Sequence, residues 1–528
     1  MKRFFNNTEL LLRKQISIEK FLLIAILFTG VCIRFFRSTL NDFSNDEAFE
    51  FFLAKMKTVD MINALIYDTH PPLHYLITKI SESFGNSIFV LRFSSIIFAA
   101  VSIYIVYLIG KKLYSLKAGL ISALCMSVIF RMLFYDTMAR NYVLLVMLSL
   151  LSVYLYLIIT QEKKKLYPLL ATVLILSLYN SYLSLFTMLI MFLHYVFFYK
   201  KNLKMLFFIF PPFICYIPWL PFIYRQYSNL VLNGQYQNWN YRSDFFKEVP
   251  GYFSYAFSFD RNAFAIINTN FVINYLIGLI FLAFCITGLY FLLKKSKVSG
   301  ILIALAAFFP FLFFCILSFL RSGTFITERY LLPAFPFIYI LFSIFIDKIF
   351  SLKKLKYIGI SILIILILFN LFQFYIYNKD AYFRLNNMKN VSDLISEHAS
   401  SGDYIIFPNT DAVNLFNFYY ARNDFYWKLI DKDNKKYIEF MFNDAYRKMK
   451  YPGQWLYNKI FQEKLKDIDF DFLYYVCYDP SLNDKKNTKD INEFLKNNFV
   501  IMETFISQTC YPSNTILLCK LRKKAEVK

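Results

Sequence analysis

Glycine is scarce, at 13 residues in 528. That argues against a channel whose filter is built from glycine-rich loops, and against a bundle seamed by GxxxG contacts. No glycine-rich phosphate loop is present either. Charged residues are 18% of the chain, against about 25% in an average soluble domain. Acids are the scarcer sign, 36 against 58 Lys and Arg, for a net charge of +22. Such a balance can mark a nucleic-acid binder, but here the lysines lie in short runs between hydrophobic segments. That is the positive-inside pattern of a membrane protein, and no nucleic-acid partner is expected. The 8 cysteines form no C-x-x-C pair and have no histidines at zinc spacing. Cys32, Cys125, Cys215, Cys285 and Cys315 lie in or beside apolar segments and read as packing residues. Cys477, Cys510 and Cys519 fall in the C-terminal region, where one disulfide with one thiol left over is open and the pair is not specified.

What the chain has in abundance is apolar surface: 58% hydrophobic and 20% aromatic residues, with a mean hydropathy of +0.43. The fold class is therefore a polytopic α-helical membrane protein. Lys2, Arg3, Arg13, Lys14 and Lys20 surround the start of the first apolar run, and no small-residue cleavage site follows, so that run reads as an anchor helix. About eleven spans are expected, near 21–37, 88–110, 117–135, 140–160, 166–180, 183–199, 204–224, 270–293, 299–320, 329–347 and 356–376. Only Tyr179-Asn180-Ser181 separates the fifth from the sixth, and one long broken helix there would flip everything downstream. The lysine runs decide the matter. Lys111-Lys112, Lys163-Lys164-Lys165, Lys200-Lys201, Lys294-Lys295 and Lys353-Lys354 share one face only if 166–199 crosses twice. With the N-terminus cytoplasmic, that face is inside a plasma membrane.

Residues 1–376 form the expected membrane domain, its first outer loop at 38–87, and residues 377–528 an expected extracytoplasmic α/β domain. In the latter, Asp403 to Phe407, Phe470 to Tyr478 and Thr515 to Leu521 read as strands, and Asp393 to His398 and Asp411 to Tyr420 as helices.

The outer face collects the candidate functional residues. Asp46 and Glu47 follow the first span, and adjacent side chains do not share a helix face, so one faces the reaction and the other a structural partner. A carboxylate there suits a general base toward a sugar or lipid hydroxyl; an acidic start to the helix from Ala48 explains the pair equally well. His70-Pro71-Pro72 is a rigid turn suited to aim His70 or Asp68 at a substrate, or simply a helix start. His74 lies one turn on, without a clear third metal ligand, while His194 reads as packing. Arg92, Arg131, Arg140 and Arg329 sit at outer ends of spans, against the positive-inside trend, where a guanidinium fork suits a phosphate and snorkelling to lipid headgroups is the duller account. The remaining spans read as nearly free of internal charge.

In these residues the chain resembles the C-fold integral-membrane glycosyltransferases that use polyprenyl-phosphate sugars. Within them it is most similar to the branch holding protein O-mannosyltransferases, the lipid A aminoarabinose transferase and rhizobial galacturonosyltransferases. The resemblance runs over about residues 15–350. It is carried by Asp46-Glu47, His70-Pro71-Pro72-Leu73, Leu91-Arg92-Phe93, the segment from Phe134 to Tyr142, and Glu328-Arg329-Tyr330-Leu331-Leu332-Pro333. It implies an inverting sugar transfer to a protein, lipid or glycan acceptor, with Asp46, seconded by Glu47, acting on the acceptor hydroxyl. His70, Arg92, Arg140, Glu328, Arg329 and Tyr330 would bind the substrate, the cations among them holding a lipid phosphate that gains charge as it leaves. No cofactor is required by this pattern, and members differ over a divalent cation, whose ligands beyond Asp46, Glu47 and the two histidines are unknown. A transporter or flippase, and a polymerase or ligase using lipid pyrophosphates, are the rival classes. The first tends to place ionisable residues at mid-membrane depth in paired repeats, which the sequence lacks. The second keeps a large outer loop with Arg and His, a part that residues 225–268 would suit.

Overall fold

The computed structural model describes residues 2–40, 43–199, 210–229, 245–259, 271–321 and 328–384. Beyond these it describes 392–394, 397–398, 404–406, 473–478, 497–507 and 516–523. The chain divides into two compact units. One comprises Met1–Thr39, Asp68–Arg225 and Tyr236–Ile376; the other comprises Leu40–Tyr67, Gln226–Gln235 and Tyr377–Lys528.

The first unit is helical. Seven of its described helices are long and apolar enough to cross a bilayer: Ile18–Thr39, Ile88–Leu113, Asn141–Glu162, Val272–Lys295, Lys297–Leu317, Arg329–Ser351 and Lys356–Ile376. An eighth crossing is added if the pair Leu116–Val128 and Phe130–Asp136, bent by 61° at Ile129, is one broken span. Eleven spans are therefore not reached among the described residues. The expected span at 204–224 is described only from Phe210, where it is broken into helix Pro211–Tyr216, a 3-10 turn Ile217–Trp219 and helix Leu220–Tyr227. Pro211, Pro212, Pro218 and Pro221 each lack the N–H a continuous helix needs. The expected fifth and sixth spans are the separate helices Tyr167–Asn180 and Ser184–Phe198, of 14 and 15 residues. At 1.5 Å per residue each is about 21–23 Å long, short of the hydrocarbon thickness of about 30 Å.

Contacts between helix ends resolve the direction of this pair. The side-chain amides of Asn180 and Asn141 each donate to the other's backbone carbonyl, at 3.1 and 3.2 Å, so one helix of the pair ends where the Asn141–Glu162 helix begins. The ring of His194, on the other helix, lies 2.9 Å from the Val298 carbonyl, beside the lysine-bearing turn at 294–297. At that same end Lys111 and Tyr107 bond Glu19, Lys112 bonds Glu162, Lys295 bonds the Tyr114 carbonyl, and Ser115 donates to Asp347 at 2.5 Å. The lysine-bearing helix ends thus gather at one end of the unit, with 167–198 running away from it and back. His194 is a packing residue as expected, bracketed by Val298 and by the Tyr156 hydroxyl at 2.6 Å.

Where helices cross most closely the few glycines are used. A Cβ on Gly288 would lie 1.9 Å from the Leu341 carbonyl oxygen, so no other residue fits that crossing. Burial is deepest in Asn141–Glu162 and Phe335–Ser351, each lined almost throughout with buried apolar side chains.

In the second unit the described strands are β1 (Tyr404–Ile406), β2 (Leu473–Tyr478), β3 (Phe499–Ser507) and β4 (Ile516–Lys523), in the order β1-β2-β4-β3. β1 runs parallel to β2 and the other pairings are antiparallel, with a register shift between Ile501 and Glu503. β1 and β2 lie within stretches read as strands from the sequence and β4 overlaps the third, running two residues past Leu521; β3 was not expected. The expected helix at Asp411 to Tyr420 and the cysteine Cys510 lie outside the described residues. The same unit holds helices Asn45–Lys55 and Thr58–Ala64, packed on Phe43, Phe51, Leu53, Met61 and Leu65. Gln226 and Asn229 donate to the carbonyls of Leu65 and Ile66, closing that turn.

Candidate active site

The acidic pair sits in the first turn of helix Asn45–Lys55. Ser44 is the N-cap: its hydroxyl accepts from the Glu47 N–H at 3.3 Å. In return Glu47 Oε2 accepts from the Ser44 N–H and hydroxyl, both at 2.9 Å. This is a capping box, worth about 1 kcal/mol to the helix. It separates the two carboxylates as adjacency demands. Glu47 is buried and holds the turn, whereas Asp46 is exposed, where the helix dipole favours its charge. Ser44-x-x-Glu47 is the sequence signature of such a box. Glu50, one turn on, is a further buried carboxylate.

In the helical unit the turn after Asp68 builds a second cluster. The prolines at 71 and 72 lead into helix Leu73–Glu82, which brings Tyr75 back over Asp68, and its hydroxyl donates to Oδ2. His70 Nδ1 lies 3.3 Å from Asp68 Oδ2 and 3.1 Å from the Thr69 hydroxyl. Burial pushes the Asp68 carboxyl up, but the charge and hydrogen bond of His70, the charge of Arg140 and the Tyr75 hydroxyl outweigh it. The carboxyl is held well below the usual range.

The arginines gather around the segment after the break at Ile129. Breaking a helix inside a bilayer exposes backbone donors that hydrocarbon cannot satisfy. Here the Phe130 N–H is taken by Asn370 Oδ1 and the Arg131 N–H by the Ser258 hydroxyl, both at 2.7 Å. Arg34, wholly buried in the first span, fills its guanidinium with five bonds, two to Asp136 Oδ2 and one each to the carbonyls of Gly30, Met126 and Ser127. Arg37 donates to Thr137 at 2.9 Å and lies over the Phe130 and Phe134 rings. Arg92 donates to the Ser38 carbonyl, and Ser95, one turn on, to that of Met138. Arg131 stacks on Tyr255 at 3.8 Å. Arg140 begins the next helix near Tyr142, whose hydroxyl accepts from Arg329 at 3.4 Å. Tyr330 stacks on Phe314, and Glu328 opens the Glu328–Leu331 turn; its side chain lies outside the described residues.

Of the residues expected to bind substrate, His70 thus meets Asp68, on whose carboxyl the charge of Arg140 also acts, and Arg140 and Arg329 both lie by Tyr142. Arg92 meets the end of the first span at Ser38, beside Arg37. Arg34, Arg37 and Asp136 were not selected from the sequence, and their burial corrects the expectation of spans nearly free of charge. Two arginines inside an otherwise apolar first span were the available signal. Among the described residues no group of three or more His, Cys, Asp and Glu is placed to hold a metal ion.

The arrangement is a lysine-rich end, an arginine-rich end and apolar helices between, and solved membrane proteins share this fold. ArnT from Cupriavidus metallidurans, solved bound to undecaprenyl phosphate, matches with a TM-score of 0.58 at 10% identity, covering 94% of this chain and 97% of that one. The archaeal oligosaccharyltransferase AglB from Archaeoglobus fulgidus, solved with an inhibitory peptide and a dolichol-phosphate, matches with a TM-score of 0.52 at 12% identity, over 97% and 75% of the two chains. In sequence, residues 69–224 match the family model of dolichyl-phosphate-mannose-protein mannosyltransferases. That stretch contains His70, Arg92 and Arg140, and over it the family resemblance read from the motifs is borne out; Asp46-Glu47 and Glu328 to Pro333 lie outside it. No curated protein sequence matches significantly.

Proposed function

We propose that the protein is a membrane glycosyltransferase that moves a sugar from a polyprenyl-phosphate donor to a protein, lipid or glycan acceptor at the outer face of the plasma membrane, with inversion. The observation that carries this reading is the gathering of Arg140 and Arg329 about Tyr142, with the His70–Asp68 pair on which the charge of Arg140 acts, at the end of the helical unit away from the lysines. A leaving lipid phosphate gains charge as the glycosidic bond breaks, and preplaced guanidinium groups away from bulk water stabilise that charge without reorganising. Asp46, exposed in a turn that Glu47 holds, takes the acceptor's proton. The neighbours solved with undecaprenyl phosphate and with dolichol-phosphate support the donor class.

The test is transfer in membranes from a panel of polyprenyl-phosphate sugars, wild type beside Asp46→Asn at equal protein levels. The expected result is transfer by wild type, reduced at least about 100-fold in the variant. Equal rates would remove Asp46 from the chemistry. If wild type neither transfers sugar nor releases lipid phosphate from any donor, the enzyme reading falls.

A further inference from the structure

We propose that His70 is the acid that protonates the departing lipid phosphate, and that Asp68 is the residue that positions it. This rests on the reading above, in which a polyprenyl-phosphate sugar is the donor. His70 Nδ1 faces both oxygens of the Asp68 carboxylate, at 3.3 and 3.5 Å. The Thr69 hydroxyl also lies 3.1 Å from Nδ1, so a proton on Nδ1 is shared between that oxygen and Asp68, and Nε2 lies on the other side of the ring. The carboxylate has its own supports: Tyr75 donates to Oδ2, the charge of Arg140 acts on it, and the paired prolines stiffen the turn that carries the ring. Among the described residues, Asp68, His70, Tyr75 and Arg140 are charged or titratable groups of the cluster. Within it His70 is the outer member, 21% exposed against 15% for Asp68. The charge of Arg140 acts on the carboxylate that His70 faces, and Arg140 and Arg329 share Tyr142 as a neighbour. His70 therefore stands with the groups suited to the phosphate.

The step balances as follows. The acceptor oxygen bonds the anomeric carbon while the bond from that carbon to the phosphate oxygen breaks, its electron pair staying on the phosphate. The acceptor's proton goes to Asp46. The Nε2 proton of a positively charged His70 passes to the phosphate, leaving a lipid hydrogen phosphate and a neutral ring still held through Nδ1–H. Before transfer Asp68 compensates the charge on the ring, and afterwards it fixes the tautomer, as a carboxylate does for a catalytic histidine elsewhere. Asp46 releases its proton to water, His70 takes one up, and the cycle closes.

The experiment is steady-state transfer by the full chain in lipid nanodiscs, comparing wild type with His70→Gln, Asp68→Asn and the double variant. His70→Gln is expected to lower kcat about 100-fold with the donor KM little changed. Asp68→Asn is expected to lower kcat about 10-fold, and the double variant to be no slower than His70→Gln alone, because Asp68 acts only through the ring. Added imidazole should restore part of the kcat of His70→Gly. If Asp68→Asn fails to fold, Asp68→Glu, which keeps the charge, is the second variant, expected within about 3-fold of wild type. A loss confined to donor KM would make His70 a phosphate holder only, and multiplying losses in the double variant would sever Asp68 from it; either overturns the inference. Both outcomes require an active wild type, so they are distinct from a wild type that transfers nothing, which overturns the donor reading beneath it.

Discussion

The two ends of the helical unit use cations in opposite ways. At the lysine end, Lys111 and Lys164 are 44% and 60% exposed and pair with Glu19 and Glu162 near the helix termini. At the other end Arg34, Arg37, Arg92, Arg131 and Arg140 are all at least nine-tenths buried and bond carbonyls, hydroxyls, aromatic faces and Asp136. An ammonium on a flexible stem is strongly hydrated and suits a surface, where it orients the chain in a membrane. A guanidinium is weakly hydrated, planar and carries five donors in a fixed fork, so it survives burial and can be aimed. The same sign of charge thus serves orientation at one end and, in the proposed reading, recognition at the other.

The sharpest way to break this comparison is Arg34→Ala. It strands the Asp136 charge in the interior, and a loss of about 3–5 kcal/mol is expected in reversible unfolding in detergent. Replacing both partners, Arg34→Met with Asp136→Leu, should recover most of it, whereas a double variant as unstable as the single would show that the carbonyl bonds of Arg34 matter more than the pair. Next in size, Arg140→Ala and Arg329→Ala are expected to raise the donor KM about 10–100-fold, with Lys112→Ala unchanged in the same assay. Equal effects at the two ends would remove the distinction.

A smaller effect follows from Asp68. Its carboxyl is held below the ordinary value of 3.8, so it contributes stability above that pH and loses it as pH falls through the folded value. Thermal midpoints of wild type should therefore drop below about pH 4 more steeply than those of Asp68→Asn. Superimposable curves would mean that His70 and Arg140 do not act on this carboxyl. Smallest of all, Lys111→Ala should cost about 0.5 kcal/mol in the same unfolding measurement, the usual worth of an exposed pair.

Much of the architecture was legible because membrane physics writes it in lysines. Reading 166–199 as two helices that run out and back needed only the charge runs, and the contacts of Asn180 and His194 show that course. The strands β1, β2 and β4 were readable from apolar runs in a polar tail. β3 was not, because Glu503 and Thr504 at its register shift interrupt the apolar run. Hydropathy averages also hid Arg34 and Arg37, since two cations in a window rich in Phe and Ile leave the mean high. The break at Ile129 left no trace, as neither proline nor glycine marks it; its donors are capped by side chains distant in sequence. His70 and Arg140 stand out for their place on the outer face, whereas Asp68 stands out only beside His70 in the fold. A pattern along the chain does not show which carboxylate a histidine meets.

The cap on Phe130 has a consequence for how the protein is made. Asn370 lies 240 residues further along the chain, in the last membrane helix. While the ribosome is still short of that residue, every earlier helix can be inserted, but the bent segment carrying Asp136 to Arg140 has a backbone donor with no acceptor in the lipid. The arginine end is therefore finished last, and a nascent chain released before residue 370 would leave it open to quality-control proteases.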